Sequence, residues 1–271
     1  MIKSRFRPRL IYCATVSFAE LASANIVGYN TTTVAADQFY MIGVQLADVA
    51  GNGTSADFNT FLTTTCTPGT YGDGSDGTMG NAPMIQVLQA NGQAYNFYYL
   101  INDADDGNGN YTATAWVDDM GFNLDAEDVL SLSKGFWFKS ATAGTLTSAG
   151  QVFALNSMER NIPAGQFEIV ANPYPVALSL NSATASGFTP GTYGDGSDGT
   201  MGNAPMIQVL QANGQAYNFY YYINDADDGN GNYTSTEWVD DMGFNLTGTQ
   251  VPVGQAFWIK SDTAGSFTFG L

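Results

Sequence analysis

PGTYGDGSDGTMGNAPMIQVLQANGQAYNFYYLINDADDGNGNYTATAWVDDMGFN, Pro68 to Asn123, returns as Pro190 to Asn245 with three changes: Leu100 becomes Tyr222, Ala113 becomes Ser235 and Ala115 becomes Glu237. A block repeated at this length and fidelity indicates an internal duplication, and any fold must accommodate it. Inside it, MIQVLQA-NG-QAYNFYYLI reads as a β-hairpin. Asn91-Gly92, and again Asn213-Gly214, are the residues expected to supply two positive φ angles to a type I′ turn. On the second strand Tyr95, Phe97 and Tyr99 share one face, while Asn96, Tyr98 and Leu100 share the other. Both faces are largely apolar, so this strand is expected to be covered on two sides. YTATAWV and YTSTEWV follow as further strands.

Working outward, each half closes on an aromatic strand, GFWFKS at Gly135 or AFWIKS at Ala256. Phe136 and Phe138 face opposite to Trp137, so one side of that strand enters a core. DQFYMIGVQLA and QFEIVANPYPV open the halves as strands rich in β-branched and aromatic residues. NGTSADFNTFLTTTC reads as an extra loop or edge strand of the first half, without counterpart in the second. No segment has sustained helical periodicity beyond one turn near Asp125 to Asp128. The expected fold is all-β: two tandem Ig-like or jelly-roll-like β-sandwich modules of about eight strands each. They span 25–149 and 150–271, joined near Ala149 to Gln151 with almost no linker, as a stiff rod.

Residues 1–24 have a basic start, a short apolar run from Leu10 to Phe18 and the small residues Ala22-Ser23-Ala24, the parts of an export signal. The alternative is a retained basic arm that docks on the acidic body of another subunit. The run is too short to span a bilayer. Of the eight basic residues, Lys3, Arg5, Arg7 and Arg9 lie in this segment, and the formal net charge is −17. The body should repel nucleic acid and anionic membranes. Histidine is absent. That removes the usual general base and every Ser-His or Cys-His nucleophile. Cys13 and Cys66 are the two cysteines. Loss of the N-terminal segment would leave a single thiol and no intrachain disulfide.

IVGYNTTTVAADQFYMIG, the hairpin and LSKGFWFKSATAGTLT together resemble a β-repeat module of secreted proteins from Verrucomicrobia- and Planctomycetes-type bacteria. That module runs from an IVGY start through PAG and ANP motifs to a GFW strand. Pro163-Ala164-Gly165 and Ala171-Asn172-Pro173 match it, whereas Ala35-Ala36-Asp37 and Ile42-Gly43-Val44 depart from it. The resemblance implies a secreted surface context only, since that module has no assigned activity to carry over. The general build is also similar to that of extracellular filament subunits.

Two constellations could carry chemistry. NDADDGNGNYT gathers Asp103, Asp105, Asp106, Asn108 and Asn110, and its copy Asp225, Asp227, Asp228, Asn230 and Asn232. Alternating oxygen ligands with permissive glycines suit calcium, although the EF-hand spacing is not met. The plain alternative is a solvated Asp/Asn/Gly turn. TYGDGSDGTMGNAP, with Asp73, Asp76, Asp195 and Asp198, is a second candidate calcium loop. The aromatics Tyr71, Tyr95, Tyr98, Tyr99, Tyr111 and Trp116, with their copies, could form a sugar-binding platform, or else be core. Glycosylation sequons stand at Asn30, Asn52, Asn110, Asn232 and Asn245.

A glycosidase pair is not expected, because the carboxylates sit on turns and too many catalytic roles stay unfilled. The expected function is an exported, extracellular structural protein, not an enzyme. It would polymerise head-to-tail with itself by strand-edge or N-terminal-arm complementation. The competing expectation is a secreted carbohydrate-binding or adhesion module with glycan partners.

Overall fold

The computed structural model describes residues 27–47, 55–71, 79, 81–125, 128–152, 156–193, 201 and 203–270. The export-signal or arm segment, Cys13, Asn52 and the Asp73, Asp76, Asp195, Asp198 loops lie outside the described residues. The first half contains β1 (Val27–Val34), β2 (Phe39–Gly43), β3 (Leu46–Ala47), β4 (Ser55–Asp57), a one-turn helix α1 (Phe58–Phe61) and β5 (Leu62–Thr64). It continues with β6 (Met84–Leu88), β7 (Tyr95–Asp105), β8 (Tyr111–Asp118), β9 (Val129–Ser131), β10 (Gly135–Lys139) and β11 (Gly144–Val152). The second half contains β12 (Ser157–Ile162), β13 (Phe167–Ala171), a 3-10 turn at Leu180–Ser182, β14 (Thr184–Ser186) and β15 (Met206–Leu210). β16 (Tyr217–Asp227), β17 (Tyr233–Asp240), β18 (Ala256–Lys260) and β19 (Gly265–Gly270) complete it. The fold is all-β, as the alternating sequence predicts.

Each half is a sandwich. A five-stranded antiparallel sheet, β2-β10-β6-β7-β8 or β13-β18-β15-β16-β17, faces a smaller one in which β11 pairs β1, β3 and β5, or β19 pairs β12 and β14. The two hairpins share one register: Ile85 opposes Tyr98 as Ile207 opposes Tyr220. Phe136 and Phe138 point from β10 into a core with Val34, Phe61, Trp116 and Leu146. In the second half Phe257 and Ile259 meet Ile162, Trp238, Phe267 and Phe269. Burying each such phenylalanine is worth roughly 1.5–3 kcal/mol over leaving it exposed.

Four sequence expectations change. The hairpin turn is not type I′, because only Gly92 (φ +65) and Gly214 (φ +67) take positive φ, and Asn91 and Asn213 do not. The Gln89 N–H donates to Ala94 O around a longer loop, inside which the Gly92 N–H donates to Gln89 O and the Asn91 side chain accepts from the N–H groups of Gln93 and Ala94. A type I turn followed by a left-handed glycine is the next commonest way to close a hairpin. Asn91 therefore serves by its side chain, not by its backbone freedom.

Much of the supposed insertion has a counterpart. Asn59 on α1 accepts from the Trp116 N–H at 2.8 Å, and Asn181 on the 3-10 turn accepts from the Trp238 N–H at 2.8 Å. β5 then pairs β11 as β14 pairs β19. Likewise Asp37 (φ +60) occupies the turn position of Gly165 (φ +72), and each N–H donates at 2.7 Å to the serine ending the aromatic strand. Short motifs hid both equivalences because the geometry is kept while the residue types differ.

The supposed joint at Ala149 to Gln151 lies inside β11, and the chain crosses between halves after Val152. The halves do not form a rod of successive modules. Their five-stranded sheets pack face to face through Met41, Leu88, Trp137, Ile169, Leu210 and Trp258. One end of the second face of the hairpin strand finds its cover here, where Tyr95 and Tyr217 pack against this same cluster, while Tyr99 and Tyr221 pack with Val117 and Val239 in separate clusters.

Candidate functional site

The seam between the halves has an approximate two-fold relation. Gly43 and Ala171 end the equivalent strands β2 and β13, and a Cβ on Gly43 would lie 2.6 Å from the Ala171 Cβ. Gly135 and Ala256 begin β10 and β18, and a Cβ on Gly135 would clash with that of Ala256. The backbone bonds reciprocate: Gly43 N–H donates to Gly254 O at 2.8 Å and Ala171 N–H to Ser133 O at 2.9 Å. Ser133 (φ +63) and Gly254 (φ +79) share the left-handed conformation that aims those carbonyls. A buried Gln45 donates its Nε2 to Asn172 O at 3.0 Å and Tyr174 O at 2.8 Å, and the Ser133 hydroxyl donates to Ala171 O at 2.8 Å. Equivalent positions meeting one another is the pattern of an isologous interface, here within one chain.

Aromatic side chains flank this axis. Phe39 meets Trp137 edge-on at 5.9 Å, and Phe167 meets Trp258 at 5.5 Å. Lys139 lies over Phe39 and Lys260 over Phe167, each 5.4 Å from the ring centroid. Burial raises the pKa of Tyr95 and Tyr217, opposed in each by a hydrogen bond from the Trp137 or Trp258 indole.

The acidic loops form compact turns. Asp105 Oδ1 accepts from the N–H groups of Gly107 (2.9 Å) and Gly109 (3.0 Å), and Asp106 Oδ1 from Asn108 (2.8 Å) and Asn110 (3.2 Å). Asp227 and Asp228 do the same with Gly229, Gly231, Asn230 and Asn232. Side-chain bonds from Asn110 and Asn232, helped by the backbone donors, hold the Asp106 and Asp228 carboxyls below their ordinary pKa. Asp103 and Asp225 stand apart, accepting from the N–H groups of Tyr71 and Tyr193. Among the described residues no three Asp, Glu, Cys or His side chains converge as a metal site.

The aromatics weighed as a sugar-binding platform are dispersed over several environments. Trp116 and Tyr98 are buried in the sandwich core, and burial foremost pushes the Tyr98 phenol up to about 12. Tyr71 packs under Gly121, and Tyr111 is exposed. Sequence reasoning missed instead the seam aromatics Phe39 and Trp137. The signal was present in Trp137 facing away from Phe136 and Phe138.

It also missed a repeated apolar knob. Asp118 Oδ1 accepts from the N–H groups of Met120 (2.9 Å) and Phe122 (2.8 Å), and Gly121 (φ +82) sits against the Tyr71 ring. This fixed loop leaves Met120 62% and Phe122 63% exposed, and Met242 and Phe244 are both 63% exposed on the equivalent Asp240 loop. No protein-family model, curated protein or solved structure matches the chain.

Proposed function

We propose that the protein is an exported structural subunit that associates with copies of itself into a filament or surface layer. The observation that carries this reading is the pair of rigid, exposed Met-Phe knobs at equivalent places in both halves. Large apolar side chains that a hydrogen-bonded turn leaves exposed suit a contact surface. Repetition gives each subunit two such contacts, so one molecule can bridge two neighbours. A contact between a knob and a different surface of the next copy would propagate without closing.

Unpaired strand margins offer a second element of the same assembly. β8 pairs β7 alone and β17 pairs β16 alone among the described strands. The Trp116 N–H is taken by Asn59 and the Asp118 N–H by Phe122 O, which caps one end of the β8 margin. The stretch from Tyr111 to Thr114 lies beyond those caps and suits backbone pairing.

The test is light scattering and negative-stain electron microscopy of the full chain beside the Met120→Ser, Phe122→Ser, Met242→Ser, Phe244→Ser variant. Wild type is expected to form higher assemblies and the variant to remain monomeric with an unchanged melting temperature. Monomeric wild type at every concentration would sink the proposal.

A further inference from the structure

Two clefts open along the seam and share Phe39 and Leu210. One of about 340 Å3 lies between Phe39, Gln86, Trp137, Gly214, Gln215 and Tyr217. The other, of about 240 Å3, follows Gln38 to Ile42 along β2 and is closed by Pro252 to Gln255. Adjoining at Phe39 and Leu210, they form a groove at the junction of two sandwiches, where ligand sites are commonly found.

The lining residues of both clefts are uncharged, and the charge beside them is Lys139, over the Phe39 ring. The Trp137 and Tyr217 rings line the larger cleft. Gln38 Nε2 donates to Ala212 O at 3.2 Å and Gln255 Nε2 to Leu210 O, which leaves the Oε1 atoms to accept from hydroxyl groups. Aromatic rings with neutral amides around them match a molecule having apolar C–H faces and a rim of hydroxyls. A phosphorylated or carboxylated ligand would meet one cation beside Phe39, Lys139, which already pairs with Asp37 at 3.8 Å, and a body of net charge −17.

We propose that this groove binds a neutral oligosaccharide, with sugar rings on Phe39, Trp137 and Tyr217 and hydroxyls on the glutamines. The site is separate from the Met-Phe knobs and does not depend on assembly. The repeat places Phe167, Gln208, Trp258, Gly92, Gln93 and Tyr95 in the equivalent positions across the two-fold relation.

The test uses the full chain with cellotetraose, xylotetraose, laminaritetraose and chitotetraose, followed by tryptophan fluorescence and titration calorimetry. Saturable binding of at least one is expected, with a fluorescence change that Trp137→Phe diminishes. Gln38→Ala and Gln255→Ala, each first shown to melt as wild type does, should weaken binding by about two- to tenfold. The Met120→Ser, Phe122→Ser variant should bind as wild type. No saturable binding of any of the four at low-millimolar concentration overturns the proposal, and so does binding that both glutamine variants leave unchanged.

Discussion

Trp137 and Trp258 hold the same position in equivalent strands of the two halves, and they touch each other, ring centroids 6.4 Å apart. A residue in contact with its own counterpart marks the axis of a two-fold relation. The small residues beside them follow from it. Where two backbones approach across an axis, only Gly or Ala fits.

Gly135→Ala should therefore destabilise the seam. Its new methyl would meet Ala256 Cβ and Ile169 Cγ2 at once. Overpacking of this kind costs about 1–3 kcal/mol. Denaturant melts should show the loss, and Ala256→Gly in the same chain should restore part of it by reopening the space.

Gln45→Ala removes both donors to the carbonyls of Asn172 and Tyr174, in a place where water does not reach. Leaving buried acceptors unpaired costs about 1–3 kcal/mol. Exchange of amide protons around Asn172 to Tyr174 should speed up, while the hairpin strands stay protected. Equal loss of protection everywhere would show that the seam and the sandwiches melt as one unit.

Acid should loosen the Asp106 and Asp228 loops before the sandwiches. A carboxyl whose folded pKa lies below its unfolded value adds stability above the unfolded pKa, and the contribution is lost as pH falls through the folded value. Both carboxyls are held low, by Asn110 and Asn232 foremost. Amide exchange at Asn108, Asn110, Asn230 and Asn232 is expected to accelerate, relative to the core, as pH drops through and below the ordinary carboxylate range. In Asp106→Asn that pH dependence should vanish from the first loop only.

Assembly through the apolar knobs should be promoted by salt. Bodies of formal charge −17 repel one another, and screening shortens that repulsion to about 8 Å at physiological ionic strength. Light scattering should rise from low to moderate salt. A fall instead would point to contacts made by opposite charges, as the basic N-terminal arm would make.

Much of this molecule was legible in its sequence because strand formation is local. Alternation in MIQVL and the opposed faces of GFWFK fixed which residues enter each core, and the Asp/Gly-rich runs marked turns whose side chains satisfy their own backbone. The repeat announced two similar halves. Local pattern did not reveal that α1 and the 3-10 turn at Leu180–Ser182 do one job, since the shared feature is a single asparagine oxygen on a tryptophan N–H. Nor did it show that Met120 and Phe122 stay outside. Two identical blocks carry no mark of how they lie against each other. Whether they stand in line or face to face depends on the fit of Trp137, Gly43 and Gly135 against residues more than a hundred positions away, and only the tertiary structure brings those surfaces together.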